Sequence, residues 1–171
     1  MTNFGFKKLS LENWLQPDEA STIFASISSD GQVKPITEDE WLRRILEPSL
    51  AEVVPLEIRR LFEVARSAMA YGYFFYPLYT LAAEQLFRVV ETAISYKCQS
   101  MGAPTKNTNT FQEKINWLIS QGVIPKSEEV RWQAIRGLRN MASHPQTQII
   151  RPPSNAISVL RDVVEKVNLL F

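Results

Sequence analysis

The sequence predicts an all-α fold: an antiparallel bundle of four to five helices with an N-terminal extension. Three observations point there. From residue 55 onward, apolar residues recur at three- and four-residue steps, residues that start and stop helices punctuate these runs, and the links between them are short. A chain of 171 residues, 45% hydrophobic and 11% aromatic, suffices for one globular unit with a real core.

The elements follow in order. "PLEIRRLFEVARSAMAYG" opens on Pro55, favoured in a first helical turn, and carries Ile58, Leu61, Phe62, Ala65 and Met69 on one face before Gly72. After "YFFY" and Pro77, a long helix follows with Leu78, Leu81, Ala82, Leu86, Val89, Val90, Ala93 and Ile94 inward. It runs on to Met101, with Gly102 as its stop. Its apolar face is wide, which makes it the central helix. Thr110 and Glu113 have the spacing of a capping box and start "FQEKINWLISQ", which Gly122 ends. Ser127, with Glu128 and Glu129 behind it, caps a fourth helix whose inward side is Val130, Ile135, Leu138 and Ala142. Beyond "RPPS" a last helix uses Ile157, Leu160, Val164 and Val167.

Residues 1–54 form the extension and residues 55–171 the bundle. Within the extension, Thr37 and Glu40 make a capping box before "WLRRIL", which Pro48 closes. The preceding "STIFASISSDGQVKPIT" has two readings. It is a hairpin turning at Asp30 and Gly31, or a loop laid over the bundle with Phe24 and Ile27 as anchors.

Composition excludes several functions. Nineteen basic and eighteen acidic residues leave a net charge of +1, so no global field draws the chain to nucleic acid or anionic lipid, and any phosphate site is local. No apolar run reaches membrane-span length, and the first residues do not resemble a secretory signal, so the expectation is a soluble cytoplasmic protein with no membrane partner. Cys98 has no disulfide partner and reads as a packing residue. There is no glycine-rich phosphate loop and no HExxH, and His and Cys are too few for a zinc site. Neither a metal nor a cofactor is expected.

The stretch that carries chemistry is "RGLRNMASHP", residues 136–145, which holds two arginines, an asparagine and the only histidine of the chain. Arg136, Arg139 and Asn140 are three and four residues apart and share a helix face. On an unbroken helix His144 would lie about 140° round from Arg139. Pro145 opens the helix at or before His144, which lets the imidazole turn back toward the arginine. A helix C-terminus favours the protonated ring, which suits a proton carrier, and an arginine fork beside it suits a phosphate.

"RNMASH", Arg139 to His144, resembles the signature of the HEPN superfamily (higher eukaryotes and prokaryotes nucleotide-binding domains): an arginine, often followed by a polar residue, with four to six residues before a histidine. Here four residues intervene. The long helix pair and "KINWLISQGVIP" are similar to uncharacterised prokaryotic members, over about residues 55–171. The resemblance implies a metal-independent ribonuclease site completed across a homodimer. In it Arg139 would bind the scissile phosphate, His144 would move the proton of the ribose 2′-hydroxyl or of the leaving 5′-oxygen, and Asn140 would orient the pair or the phosphate. Arg136 falls outside the signature and would be an RNA contact only. The resemblance also implies a toxin or defence effector, with an antitoxin or another protein as partner. Some members keep only the fold, so the alternative is a non-catalytic dimeric module that binds nucleotide, RNA or a protein.

Each residue also has a plainer role. His144 could be a C-cap that bonds the last carbonyls, and Arg139 could pair with Glu84 or Glu91 of the central helix. Glu84 and Arg88 read as an i, i+4 surface pair. The aromatic string "YGYFFYPLY" reads as core or dimer interface rather than a stacking platform for bases.

Overall fold

The computed structural model describes residues 6–27, 31–142 and 150–171. The all-α expectation holds: seven α-helices, two 3-10 turns and one two-stranded ribbon make up the regular structure of the described residues. Helix α1, Glu19–Thr22, precedes strands β1, Ala25–Ile27, and β2, Val33–Pro35, which pair antiparallel with Ala25 opposite Pro35. The "STIFASISSDGQVKPIT" segment is therefore a hairpin. Gly31 takes a positive φ of 80° in its turn, while Asp30 lies outside the described residues. Phe24 is also an anchor, with its ring stacked 6.2 Å from Tyr76. The side chain of Ile27 lies outside the described part.

Helix α2 spans Glu38–Leu46 and is capped by Thr37, whose Oγ1 accepts from the Glu40 N–H at 3.2 Å. Helix α3, Leu56–Tyr71, follows Pro55, and α4 runs from Leu78 to Ser100. Helix α5, Phe111–Ser120, carries the full capping box: Thr110 Oγ1 accepts from the Glu113 N–H at 3.2 Å and Glu113 Oε2 accepts from the Thr110 N–H at 2.9 Å. Helices α6, Glu129–Ala142, and α7, Pro153–Asn168, complete the bundle.

Helix α4 is central, packed against α3, α5, α6 and α7. Its alanines at 82, 83 and 93 are fully buried, as are Leu86, Val89, Val90 and Ile94 between them. Small residues let neighbouring helices approach, and each large one adds about 1.5–3 kcal/mol of burial.

The inward faces differ from expectation at two places. Leu81 is exposed, because Tyr79 takes the buried position and a step of two residues lies about 200° round a helix. The same shift recurs in α6, where Val130 is 80% exposed and Trp132 only 2%. Ile135 and Leu138 pack half-buried against the core. Nor does Ser127 cap α6: it sits inside a 3-10 turn, Lys126–Glu128, that Pro125 opens and that runs into the helix. Gly72 ends α3 in a right-handed conformation, φ −56°. Its need for glycine is steric, since a Cβ there would lie 2.4 Å from the Tyr79 ring.

The described part of residues 1–54 is packed onto the bundle. Trp41, Ile45 and Val54 share one core with α3, α4 and α7. Asp18 is fully buried, and its carboxylate accepts from the backbone N–H groups of Ala20 at 3.1 Å, Tyr76 at 3.0 Å and Lys7 at 3.4 Å. Three charge-assisted bonds offset the cost of burying it and tie the N-terminal segment to the α3–α4 turn. Among the described residues no helix is long and apolar enough to cross a membrane.

Candidate functional site

Helix α6 reaches α4 through Arg139. Its guanidinium donates from Nε to Glu91 Oε2 at 3.1 Å and from Nη2 to Glu91 Oε1 at 3.2 Å. Of the two carboxylates considered for this arginine, Glu91 is the partner. The side chains of Arg139 and Glu91 are 36% and 32% exposed, so the pair is at the surface rather than in the core.

The pair lines an open polar cleft of about 520 Å³ along α4, together with Glu84, Phe87, Arg88, Thr92 and Ser95. Positions 84, 88, 91, 92 and 95 fall at three- and four-residue steps and form one stripe on that helix. This polar stripe was visible in the sequence, but nothing local marked it as facing Arg139. Glu84 and Arg88 form no ion pair with each other among the described residues; both line the cleft instead. Two further cations each contact one of its lining residues. The Arg151 guanidinium lies 5.8 Å from the ring centre of Phe87, and Lys114 Nζ donates to Ser95 Oγ at 2.8 Å. Arg88 and Arg139 thus share the cleft lining with the carboxylates of Glu84 and Glu91.

The other expected site residues divide. Asn140 stays beside Arg139, its Oδ1 3.5 Å from Arg139 Nη1, and is exposed. Arg136 turns away along its own helix and donates from Nε to Gln133 Oε1 at 2.9 Å. It shares the helix face but does not join the pair. His144 lies outside the described residues.

Half-buried Arg139 offers a guanidinium whose orientation is set by a carboxylate rather than by solvent. Such a group can hold an anion in a defined place, though an entering phosphate must compete with Glu91 for it. The aromatic string is split: Tyr76 and Tyr79 are buried in the core, Tyr73 and Phe74 are half-buried, and Tyr71 is exposed. None of them lines this cleft. Compared with protein-family models, with curated proteins and with solved structures, the chain matches none.

Proposed function

We propose that the protein is a HEPN-type, metal-independent RNA endonuclease acting as a homodimer. The observation that supports this most is a cleft large enough for a nucleotide, lined by an oriented Arg139 and by Arg88, with Arg151 and Lys114 each in contact with one of its lining residues. His144, two residues beyond the end of α6, is the proton carrier of this reading. In the reaction the ribose 2′-oxygen attacks the adjacent phosphorus as His144 removes its proton. The bond to the 5′-oxygen breaks, and that oxygen takes a proton from the His144 of the second subunit. Arg139 stabilises the charge on the phosphate through the transition state. The two-fold axis supplies an acid as well as a base from a chain with one histidine.

The products are a 2′,3′-cyclic phosphate and a free 5′-hydroxyl, and DNA, which lacks the nucleophile, survives. The test is incubation of total RNA with the protein in the presence of a chelator, with end-group analysis and a folded His144→Ala protein alongside. Cleavage to cyclic phosphate that disappears in the variant supports the reading. Cleavage that persists in folded His144→Ala protein overturns it.

A second reading is the non-catalytic dimeric module that binds nucleotide, RNA or a protein. The Arg139–Glu91 pair favours it, because a carboxylate already engages the arginine as a structural link between α6 and α4. RNA binding without cleavage by the intact protein would decide for it. In both readings the cellular setting, a toxin or defence effector with an antitoxin or other protein partner, rests on the family resemblance.

A further inference from the structure

A second concave surface shares no lining residue with the Arg139 cleft. It lies between α2 and the end of α3, with a volume of about 420 Å³. Helix α2 carries two apolar i, i+4 pairs. Trp41 and Ile45 are buried and dock the helix on the core. Leu42 and Leu46, one residue on and so about 100° round, are left 41% and 48% exposed and border the groove. From the other side come Tyr71, at the end of α3, and Tyr73 and Phe74 of the following turn. Phe74 packs edge-on against Tyr73, ring centres 5.6 Å apart, so the aromatic wall is braced from within. Apolar side chains gathered in one concave patch, when a single pair suffices to dock the helix, mark an interaction surface.

The rim is acidic. Glu38 and Asp39, in the first turn of α2, and Glu63 of α3 line it. The one cation of the lining, Arg66, is already engaged: it donates from Nη2 to Glu63 Oε1 at 2.6 Å and from Nη1 to the Leu46 carbonyl at 3.3 Å. Glu38 and Asp39 make no ion pair among the described residues. Burial, and then the negative charge of Glu38, push the Tyr73 hydroxyl above its usual pKa, in keeping with a negative field over the groove.

We propose that this groove docks a basic amphipathic helix of a partner protein. Its apolar anchors, at i, i+3 or i+4, enter between Leu42, Leu46 and the Tyr71–Phe74 wall, while lysines or arginines along its edge meet Glu38 and Asp39. A nucleic acid would bring phosphates against the unpaired carboxylates of Glu38 and Asp39. A second copy placed isologously would set one acidic rim on another.

The experiment titrates the full chain with a synthetic helix of about 18 residues, leucine at the i, i+3, i+4 and i+7 positions and lysine elsewhere. A peptide with glutamate for every lysine is the control. Calorimetry gives the affinity and amide hydrogen exchange gives the place. The expected result is binding of the lysine peptide in the range of about 10–100 µM, with protection confined to α2 and residues 63–74, and no binding of the glutamate peptide. Glu38→Lys with Asp39→Lys should weaken it at least ten-fold, as should Leu42→Ser. These sites are partly or wholly exposed, so the fold should persist, and circular dichroism checks it. Cleavage of RNA, if present in the parent protein, should be unchanged in these variants. Equal binding of the two peptides, protection elsewhere, or an unchanged affinity in the charge-reversed protein overturns the proposal. So does protection of the same segments by an RNA oligonucleotide or by raised protein concentration alone.

Discussion

Arg139 of α6 holds Glu91 of α4 by two prongs, Nε to Oε2 at 3.1 Å and Nη2 to Oε1 at 3.2 Å. Both side chains are about one-third exposed, so solvent screens the pair and its contribution to stability is about 0–1 kcal/mol. Its larger consequence is orientation: a flexible arginine is held along one edge in a cleft that Arg88 also lines.

Glu91→Gln removes the negative charge and nearly keeps the shape. The expected outcome is a split. On the proposed ribonuclease reading, RNA should bind several-fold more tightly because a competitor for Arg139 is gone, while single-turnover cleavage should slow by about ten-fold because the guanidinium is less well placed. Filter binding and rapid-quench kinetics on one preparation measure both. Unchanged binding and unchanged rate would make the pair a structural link only.

On the same reading, Arg139→Ala should reduce cleavage by about a hundred-fold or more, as loss of a positioned charge stabiliser does. Arg136→Ala should change the rate much less, because Arg136 is turned toward Gln133 rather than toward the cleft. Comparing kcat with KM separates the two: an RNA contact raises KM, whereas a transition-state contact lowers kcat.

Trp132→Ala should cost about 3–5 kcal/mol, since the indole is almost fully buried where α6 packs on the bundle. Val130→Ala, two residues earlier on the solvent side, should cost no more than about 0.5 kcal/mol. Urea denaturation of the two proteins checks the contrast directly.

Gly72→Ala should destabilise the protein by about 1–3 kcal/mol, because the new methyl would meet the Tyr79 ring. Combined with Tyr79→Ala, the loss should be smaller than the sum of the two single losses, the signature of a shared contact. A double-mutant cycle measured by thermal unfolding reports it.

The link between the start of α6 and α7 should shape the acid limb of stability. Lys166, buried on α7, donates to Glu128, and this hydrogen bond holds the Glu128 carboxyl below its ordinary value of 4.5. A depressed carboxylate contributes stability that is fully present above pH 4.5 and is lost as pH falls through the lower folded value. Lys166→Met should therefore flatten the fall in unfolding midpoint below pH 4.5, which a series of denaturation curves at descending pH would show.

Much of the helical outline was legible because it is local. Thr37 and Thr110 cap their helices through bonds that span three residues, and Pro55 and Pro77 stand immediately before α3 and α4. Leu81 and Val130 were misassigned for one reason. In each case an aromatic residue two positions away, Tyr79 or Trp132, took the buried place, and apolar spacing does not rank a large ring against an aliphatic residue on the next face. At the site, the shared face of Arg136, Arg139 and Asn140 followed from helical period, but period does not decide which way a long side chain turns. Arg136 folded back along its own helix while Arg139 crossed to the next.

By itself, the sequence determined the helical class, the start of α5 at its capping box and the local neighbourhood of Arg139 and Asn140. All of these depend on contacts within about one helical turn. The tertiary structure alone decided that Glu91 rather than Glu84 meets Arg139, 48 residues away, and that Arg151 and Lys114 reach Phe87 and Ser95 of the same cleft. It alone decided that Leu42 and Leu46 remain uncovered beside an acidic rim. These relations depend on how helices rotate and pack against one another, and that rotation is set by the volume and shape of the whole core rather than by any one segment.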